Sequence, residues 1–242
     1  MPKVFGLDMS GPIIRVAQSP NKFAFGATIQ EAIKKAKIKI KYANIGLPET
    51  ECFVRSTPTN SPAIHSNANN QEDNNIKKEI ESNIPLNLRE IYYDFAKTPQ
   101  GLFIAAAKQK TVDDYIAQIK KAGLIAWAVE PESMAICRAL VQNKESVLII
   151  KISGQESVFI IVSSGIIKFT TNDTLEQTSN YLDFYQTEDG QIARILLCGD
   201  GDLQKASDFL ENLNLSAGKA NLPIEIALNP AYATAIGLAL KK

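Results

Sequence analysis

Between residues 3 and 27 short apolar runs alternate with small-residue breaks at Ser10-Gly11-Pro12 and Ser19-Pro20-Asn21, a pattern that predicts strands joined by tight turns. "TIQEAIKKA" follows as a short helix, and "YANIGLPETECFVRST" has strand character broken by Gly46 and Pro48. From Ser56 to Asn75 the pattern stops. Ile64 is the only large apolar residue of this tract, so it is expected to form a disordered surface loop. Asp73 is the expected N-cap of a helix in which Ile76, Ile80 and Ile84 recur at helical spacing, ended by Pro85. "GLFIAAAKQ" is a buried strand. Thr111 is expected to cap "VDDYIAQIKKAG", with Gly123 as its stop, and after the strand "IAWAV" the pair Pro131-Glu132 opens another helix.

Residues 147 to 171, "VLIIKISGQESVFIIVSSGIIKFTT", repeat the grammar of the opening. Leu7-Asp8-Met9-Ser10-Gly11 corresponds to Ile150-Lys151-Ile152-Ser153-Gly154, and each leads into a strand, a turn and another strand. "TLEQTSNYLDFYQ" is then helical, "ARILLCGDGD" is a buried strand ending in glycines, and "LQKASDFLENLN" is a helix. "IEIALNP" leads into "AYATAIGLALKK", a small-residue helix suited to close packing. Two α/β halves whose hairpin turns face one another imply a cleft in which small-residue turns could present backbone N–H groups to phosphate.

The remaining chemistry narrows this picture. The chain has 242 residues with 26 basic and 26 acidic side chains, enough for one sizeable domain or two small ones, and it lacks the basic excess of a nucleic-acid binder. Cys52, Cys137 and Cys198 are far apart and form no paired spacing, which points to buried thiols in a reducing cytoplasm. The single histidine, His65, lies in the Asn-rich tract, which argues against a zinc site or a His-dependent triad. No metal site is expected. The N-terminus shows no signal peptide, and the longest apolar runs fall short of a membrane span.

"VFGLDMSGPIIRVAQ", "NIGLPETECFVRSTP", "EIESNIPLNLREIYYDF", "LFIAAAKQKTVDDYIAQIKKAGLIAWAVEPESMAICRAL", "ILLCGDGD" and "NPAYATAIGLALKK", in that order, resemble the actin-like ATPases. The resemblance is greatest to the PilM family of type IV pilus assembly proteins, relatives of the division protein FtsA, and it spans nearly the whole chain. It implies an α/β, actin-like (ribonuclease H-like) fold of two domains. The first comprises residues 1 to 40 and 96 to 145, with an inserted α+β subdomain at 41 to 95, and a reduced second domain covers 146 to 242.

The departures from the family pattern are informative. After Asp8 the chain reads Met9-Ser10-Gly11-Pro12, and Pro12 removes a backbone donor. In the second loop the family's aspartate is replaced by Lys151, followed by Ser153, Gly154, Gln155 and Glu156; a lysine cannot ligate Mg²⁺. Asn172-Asp173 joins two elements between which the family inserts a base-covering subdomain, and Asp200 and Asp202 flank Gly201 in the adenosine loop. The resemblance therefore implies a shortened, degenerate member without ATPase activity. Its remnant nucleotide site would comprise Asp8, Ser10, Gly11, Lys151, Ser153, Gly154, Gly199 and Gly201, with no cofactor expected and Mg-ATP disfavoured.

As its function the resemblance implies a cytoplasmic scaffold at the inner face of the membrane, attached indirectly by gripping the N-terminal cytoplasmic peptide of a PilN-like partner. The expected groove is near Ile84, Leu86, Leu88, Tyr92 and Tyr93. The alternatives are an active actin-like ATPase, an FtsA-like filament former and a type II secretion homologue of the platform, the last expected to show a transmembrane segment that is not seen in this sequence; self-association stays open. Plainer readings stand beside these. Asp8 could simply accept turn hydrogen bonds, and Gly199 and Gly201 could serve as a strand-to-helix connection. The lysines of "KKAKIKIK" read first as a solvated face with a guarded edge strand and second as an attraction for anionic lipid. Tyr92, Tyr93 and Phe95 could line the groove or fill the subdomain core.

Overall fold

The computed structural model describes residues 2–18, 21–58, 69–98, 101–154, 156–188, 191–213 and 222–241. The opening apolar runs form β1 (Val4–Asp8), β2 (Ile14–Gln18) and β3 (Lys22–Gly26), an antiparallel meander. Thr28 accepts from the Glu31 N–H and starts α1 (Ile29–Ala36), which returns the chain to β4 (Tyr42–Leu47), parallel to β1. With β8 (Ile125–Pro131) they make a five-stranded sheet in the order β3-β2-β1-β4-β8. Phe5, Leu7, Val16, Ala43 and Ile45 face α1 and form a core buried on that side.

The second half repeats this plan. β9 (Val147–Ser153), β10 (Glu156–Ser163) and β11 (Ile166–Asp173) form the meander; β12 (Arg194–Gly199) and β13 (Ile224–Ile226) add in parallel, giving the order β11-β10-β9-β12-β13. β9 is buried along Val147–Ile152, which explains an apolar run, broken only by Lys151, where a one-sided strand would alternate. α5 (Thr178–Glu188) and α6 (Leu203–Glu211) complete this half. After β11 only a single turn at Leu175–Gln177 precedes α5, so no further subdomain lies between them.

A small sheet, β5-β7-β6, is built from β5 (Cys52–Pro58), β6 (Ile91–Thr98) and β7 (Gly101–Lys108), with α2 (Asn69–Asn83) on one face. α3 (Gln109–Lys121) links it back to β8, and α4 (Glu132–Leu140) follows β8 directly.

Several boundaries differ from expectation. Residues 42–47 belong to the first sheet, because they pair with both β1 and β8, and residues 101–108 are the central strand of the small sheet. The insertion thus runs from β5 through β7, not over 41 to 95. Ser56, Thr57 and Pro58 extend β5, and α2 begins at Asn69, ahead of the expected Asp73 cap; the tract from 59 to 68, with His65, lies outside the described residues, as does the Ser19-Pro20 turn. α3 starts at Gln109 and not after Thr111, whose hydroxyl donates to Glu51 Oε2 at 3.3 Å.

The last helix, α7 (Ala233–Leu240), also leaves the half to which it was assigned and lies on the first sheet. Gly6 makes this approach close, since a Cβ there would strike the Ala235 carbonyl. Asn44 Nδ2 donates to Leu238 O at 2.9 Å, and Gly237 lets the helix press against the Ala135 carbonyl of α4. The small-residue composition serves this double contact.

Candidate functional site

β1 and β9 end at a shared cleft, where sequence reasoning places the phosphate loops. Asp8 closes β1 and is buried; it accepts from the Ser10 N–H at 3.0 Å and from Ser10 Oγ at 2.7 Å, an Asx turn. Lys151 reaches across from β9 and donates to Ser10 Oγ at 2.8 Å. It also pairs with Glu132, the first residue of α4, where the helix N-terminus favours a carboxylate. Glu132 Oε1 accepts in turn from the Glu49 N–H at 3.1 Å. Burial pulls the Lys151 ammonium down, but the Glu132 and Asp8 carboxylates more than offset this, and its pKa lies above the ordinary lysine value.

A second ion pair also joins the two halves. Arg15, buried on β2, meets Asp200 with 2.6 Å between Nη2 and Oδ2. Burial of Asp200 is outweighed by the Arg15 guanidinium, which holds its carboxyl below the usual range. The glycines of this loop serve packing: a Cβ at Gly199 (φ 105°) would strike the Ile152 carbonyl, and one at Gly201 its side chain. The Asp200 and Gly201 N–H groups both donate to Ile152 O, at 3.1 Å each. They point into the fold and not toward a ligand.

Thus Asp8, Ser10 and Lys151 are in hydrogen-bond contact, and Gly199 and Gly201 lean on Ile152, between Lys151 and Ser153. Gly11 lies in the β1–β2 turn with open space where a Cβ would be; Gly154 adopts φ 69° in the β9–β10 turn. Sequence reasoning missed Arg15, Glu49 and Glu132. The signal for Arg15 was a single charge inside an apolar strand. Glu132 stands next to the Pro131 break, which suggested only a helix start. Glu49 is buried, and burial pushes its pKa up, outweighing the contacts of Thr170 and Ser133 with its carboxylate. The three thiols are buried; burial raises all three, Cys137 to about 11 and Cys198 to about 12, which makes them poor nucleophiles. Among the described residues no group of three or more His, Cys, Asp and Glu could hold a metal ion.

A trough follows β6. Tyr92, Tyr93 and Asp94 face Val129, Glu130 and Pro131 at the end of β8 in one stretch; Phe95 and Ala96 face Met134 and Lys241 in the next. It widens into a cavity of about 330 Å³ between Phe103, Cys137, Arg138 and Ile166. Glu130, buried in its wall, receives Arg138 at 2.6 and 2.9 Å and Lys241 at 2.6 Å. Ile84, Leu86 and Leu88 do not line it. They pack with Ile76, Ile80 and Leu102 in the core beneath α2, so of the five groove candidates only Tyr92 and Tyr93 border the trough.

Two sheets of matching topology around a shared cleft, with a small sheet inserted in the first half, define an actin-like fold. The chain is similar to a chain of the PilM-PilN type IV pilus biogenesis complex, with a TM-score of 0.78 and 16% identity over 99% of this chain and 98% of that one. It is also similar to the cytoplasmic domain of EpsL, an inner membrane component of the type II secretion system of Vibrio cholerae, with a TM-score of 0.68 and 12% identity over 99% and 95%. A protein of unknown function with an actin-like ATPase fold from Bacteroides thetaiotaomicron superposes with a TM-score of 0.60 and 9% identity over 99% and 96%. No protein-family model and no curated protein matches the sequence.

Proposed function

We propose that this protein is a scaffold of a type IV pilus inner-membrane platform, which grips the N-terminal cytoplasmic peptide of a PilN-like partner at the inner face of the membrane and does not hydrolyse ATP. The observation that carries this reading is the contrast between a cleft occupied by the chain's own ions and a trough open along β6. The residues at the cleft do not fit a Mg-nucleotide. Lys151 already neutralises Glu132 and reaches Asp8 through Ser10, Pro12 lacks an N–H, and the donors of the Asp200-Gly201 turn are committed to Ile152 O.

The trough suits an extended peptide. β6 pairs only with β7 among the described residues, so its second edge can supply main-chain hydrogen bonds, while Tyr92, Phe95 and Met134 offer side-chain contacts. No helix among the described residues is long and apolar enough to cross a membrane, so attachment through a partner is consistent with the chain.

The test is titration of the full chain with a labelled N-terminal peptide of the PilN-like protein, followed by fluorescence anisotropy. Wild type is expected to bind and Ala105→Glu, in the trough floor, to lose binding with unchanged circular dichroism. Undiminished binding by that variant would refute the placement. In a parallel thermal shift, Mg-ATP at about 100 times a working Kd would add roughly 2.7 kcal/mol if it bound. No shift is expected; a Mg-dependent rise would overturn the reading of the cleft alone.

A further inference from the structure

The end of the first sheet opposite the cleft carries a concentrated charge of one sign. β1, β3, β4 and β8 all begin there, because β1, β4 and β8 are parallel and β2 reverses the chain between β1 and β3. α1 and α3 both return the chain to it, and the Ile125 N–H donating to Lys41 O at 2.8 Å ties the start of β8 to the residue before β4. Lys3 and Lys22 stand at the starts of β1 and β3. Lys34, Lys35 and Lys37 close α1, and Lys39 and Lys41 lead into β4. Lys120 and Lys121 end α3. All are exposed.

The segments that meet here, 2–4, 21–23, 34–42 and 118–126, contain no Asp, Glu or Arg; Glu31, one helical turn before Lys35, pairs with it at 2.7 Å. The whole chain is formally neutral, so this basic pole is balanced by acids elsewhere, among them Asp8 and Glu130 toward the far ends of β1 and β8. Beside the lysines, Ile125 and Trp127 occupy alternate positions on the edge strand β8 and are 47% and 49% exposed, with the Tyr42 ring edge-on to Trp127 at 5.9 Å between centroids.

We infer that this pole docks directly on a bilayer surface rich in anionic lipid, with Trp127 and Ile125 entering the headgroup zone and the lysines attracted to the charged headgroups. The chemistry favours lipid over nucleic acid. The pole has no arginine, whose planar fork makes bidentate phosphate contacts, whereas a lysine acts as a hydrated point charge on a charged surface. Indole settles at the membrane–water boundary, and the aliphatic Ile125 beside it gains from a lipid interface and nothing from a phosphodiester backbone. This contact is independent of peptide binding in the trough and of the state of the cleft.

Trp127 is the only tryptophan, so its emission reports the contact directly. The full chain would be mixed with vesicles of phosphatidylcholine alone or with about one third phosphatidylglycerol, at about 0.1 M and about 1 M salt, where the Debye length falls from about 10 to about 3 Å. Expected are co-sedimentation and a blue shift of Trp127 with the anionic vesicles at low salt, both lost at high salt and absent with phosphatidylcholine. Each Lys→Gln change should weaken binding about fivefold, corresponding to about 1 kcal/mol per lysine. Lys39→Gln, Lys41→Gln, Lys120→Gln and Lys121→Gln together should weaken it by some hundreds of times, with circular dichroism unchanged. No binding to anionic vesicles, equal binding to phosphatidylcholine, binding that survives the four substitutions, or binding without a blue shift would overturn the inference. So would tighter binding to single-stranded DNA than to the vesicles.

Discussion

The hairpins β1–β2 and β9–β10 have the same pairing, hold the same place in their sheets and end in similar turns, yet they present opposite charges to one another. Asp8 and Lys151 occupy equivalent positions in the two copies, and Ser10 joins them by hydrogen bonds of 2.7 and 2.8 Å. Two carboxylates facing each other here would repel and need an outside cation; with Lys151 in place of one, its ammonium pairs with Glu132 and reaches Asp8 through Ser10. A single residue type at one of two symmetric positions decides whether the cleft is complete by itself.

Making the hairpins alike is the sharpest way to break this comparison. Lys151→Asp leaves Glu132 and Asp8 without their cation, and removing one partner of a buried pair costs about 3–5 kcal/mol. For a chain of this length that corresponds to a fall in Tm of roughly 10 °C by calorimetry. Adding Glu132→Gln should recover part of the loss, and additive losses would show that the two residues do not act as a pair.

Arg15 and Asp200 provide the second tie between the halves. Arg15→Met is expected to cost about 1.5–3 kcal/mol, the range for a charge-assisted hydrogen bond, as read from urea denaturation. The folded pKa of Asp200 is depressed, so its contribution is present above the unfolded value and is lost as pH falls through the folded one. Wild type should therefore lose more stability than Arg15→Met between about pH 5 and about pH 2; parallel profiles would refute the pairing.

The smallest effect is expected at Glu49. Its folded pKa is raised, so the folded state binds the proton more tightly, and stability is greatest below the ordinary carboxylate pKa and falls as pH rises through the folded one. Glu49→Gln removes this titration. It should flatten the decline above about pH 5 and leave the variant about 1 kcal/mol more stable than wild type at high pH. A wild-type profile as flat as that of Glu49→Gln would show that the buried carboxyl does not titrate there.

Much of the fold was legible because local patterns agree with it. Buried runs such as Val147–Ile152 and the Ile76-Ile80-Ile84 spacing follow from burial on one or two faces, and the repeated Ser-Gly turns from the backbone that a tight turn requires. Sheet membership was not legible. β4 and β7 are both apolar runs, and nothing in either states whether its partner is β1 or β5, since backbone hydrogen bonds are blind to side-chain identity. The groove was only partly legible for a related reason: Leu86 and Tyr92 are both large and apolar, and only the side of the small sheet they face separates core from trough.

The sequence by itself determined the two-copy plan, a lysine at 151 where the first copy has Asp8, and the absence of any acidic residue in the four segments of the basic pole, since each is a matter of order and residue type. Only the tertiary structure decided that Lys151 meets Glu132, that Arg15 meets Asp200 and that the lysines of four separate segments share one end of one sheet. These pairings join residues 19 and 185 positions apart. Charge acts through space, and chain separation says nothing about distance until the strands have chosen their neighbours.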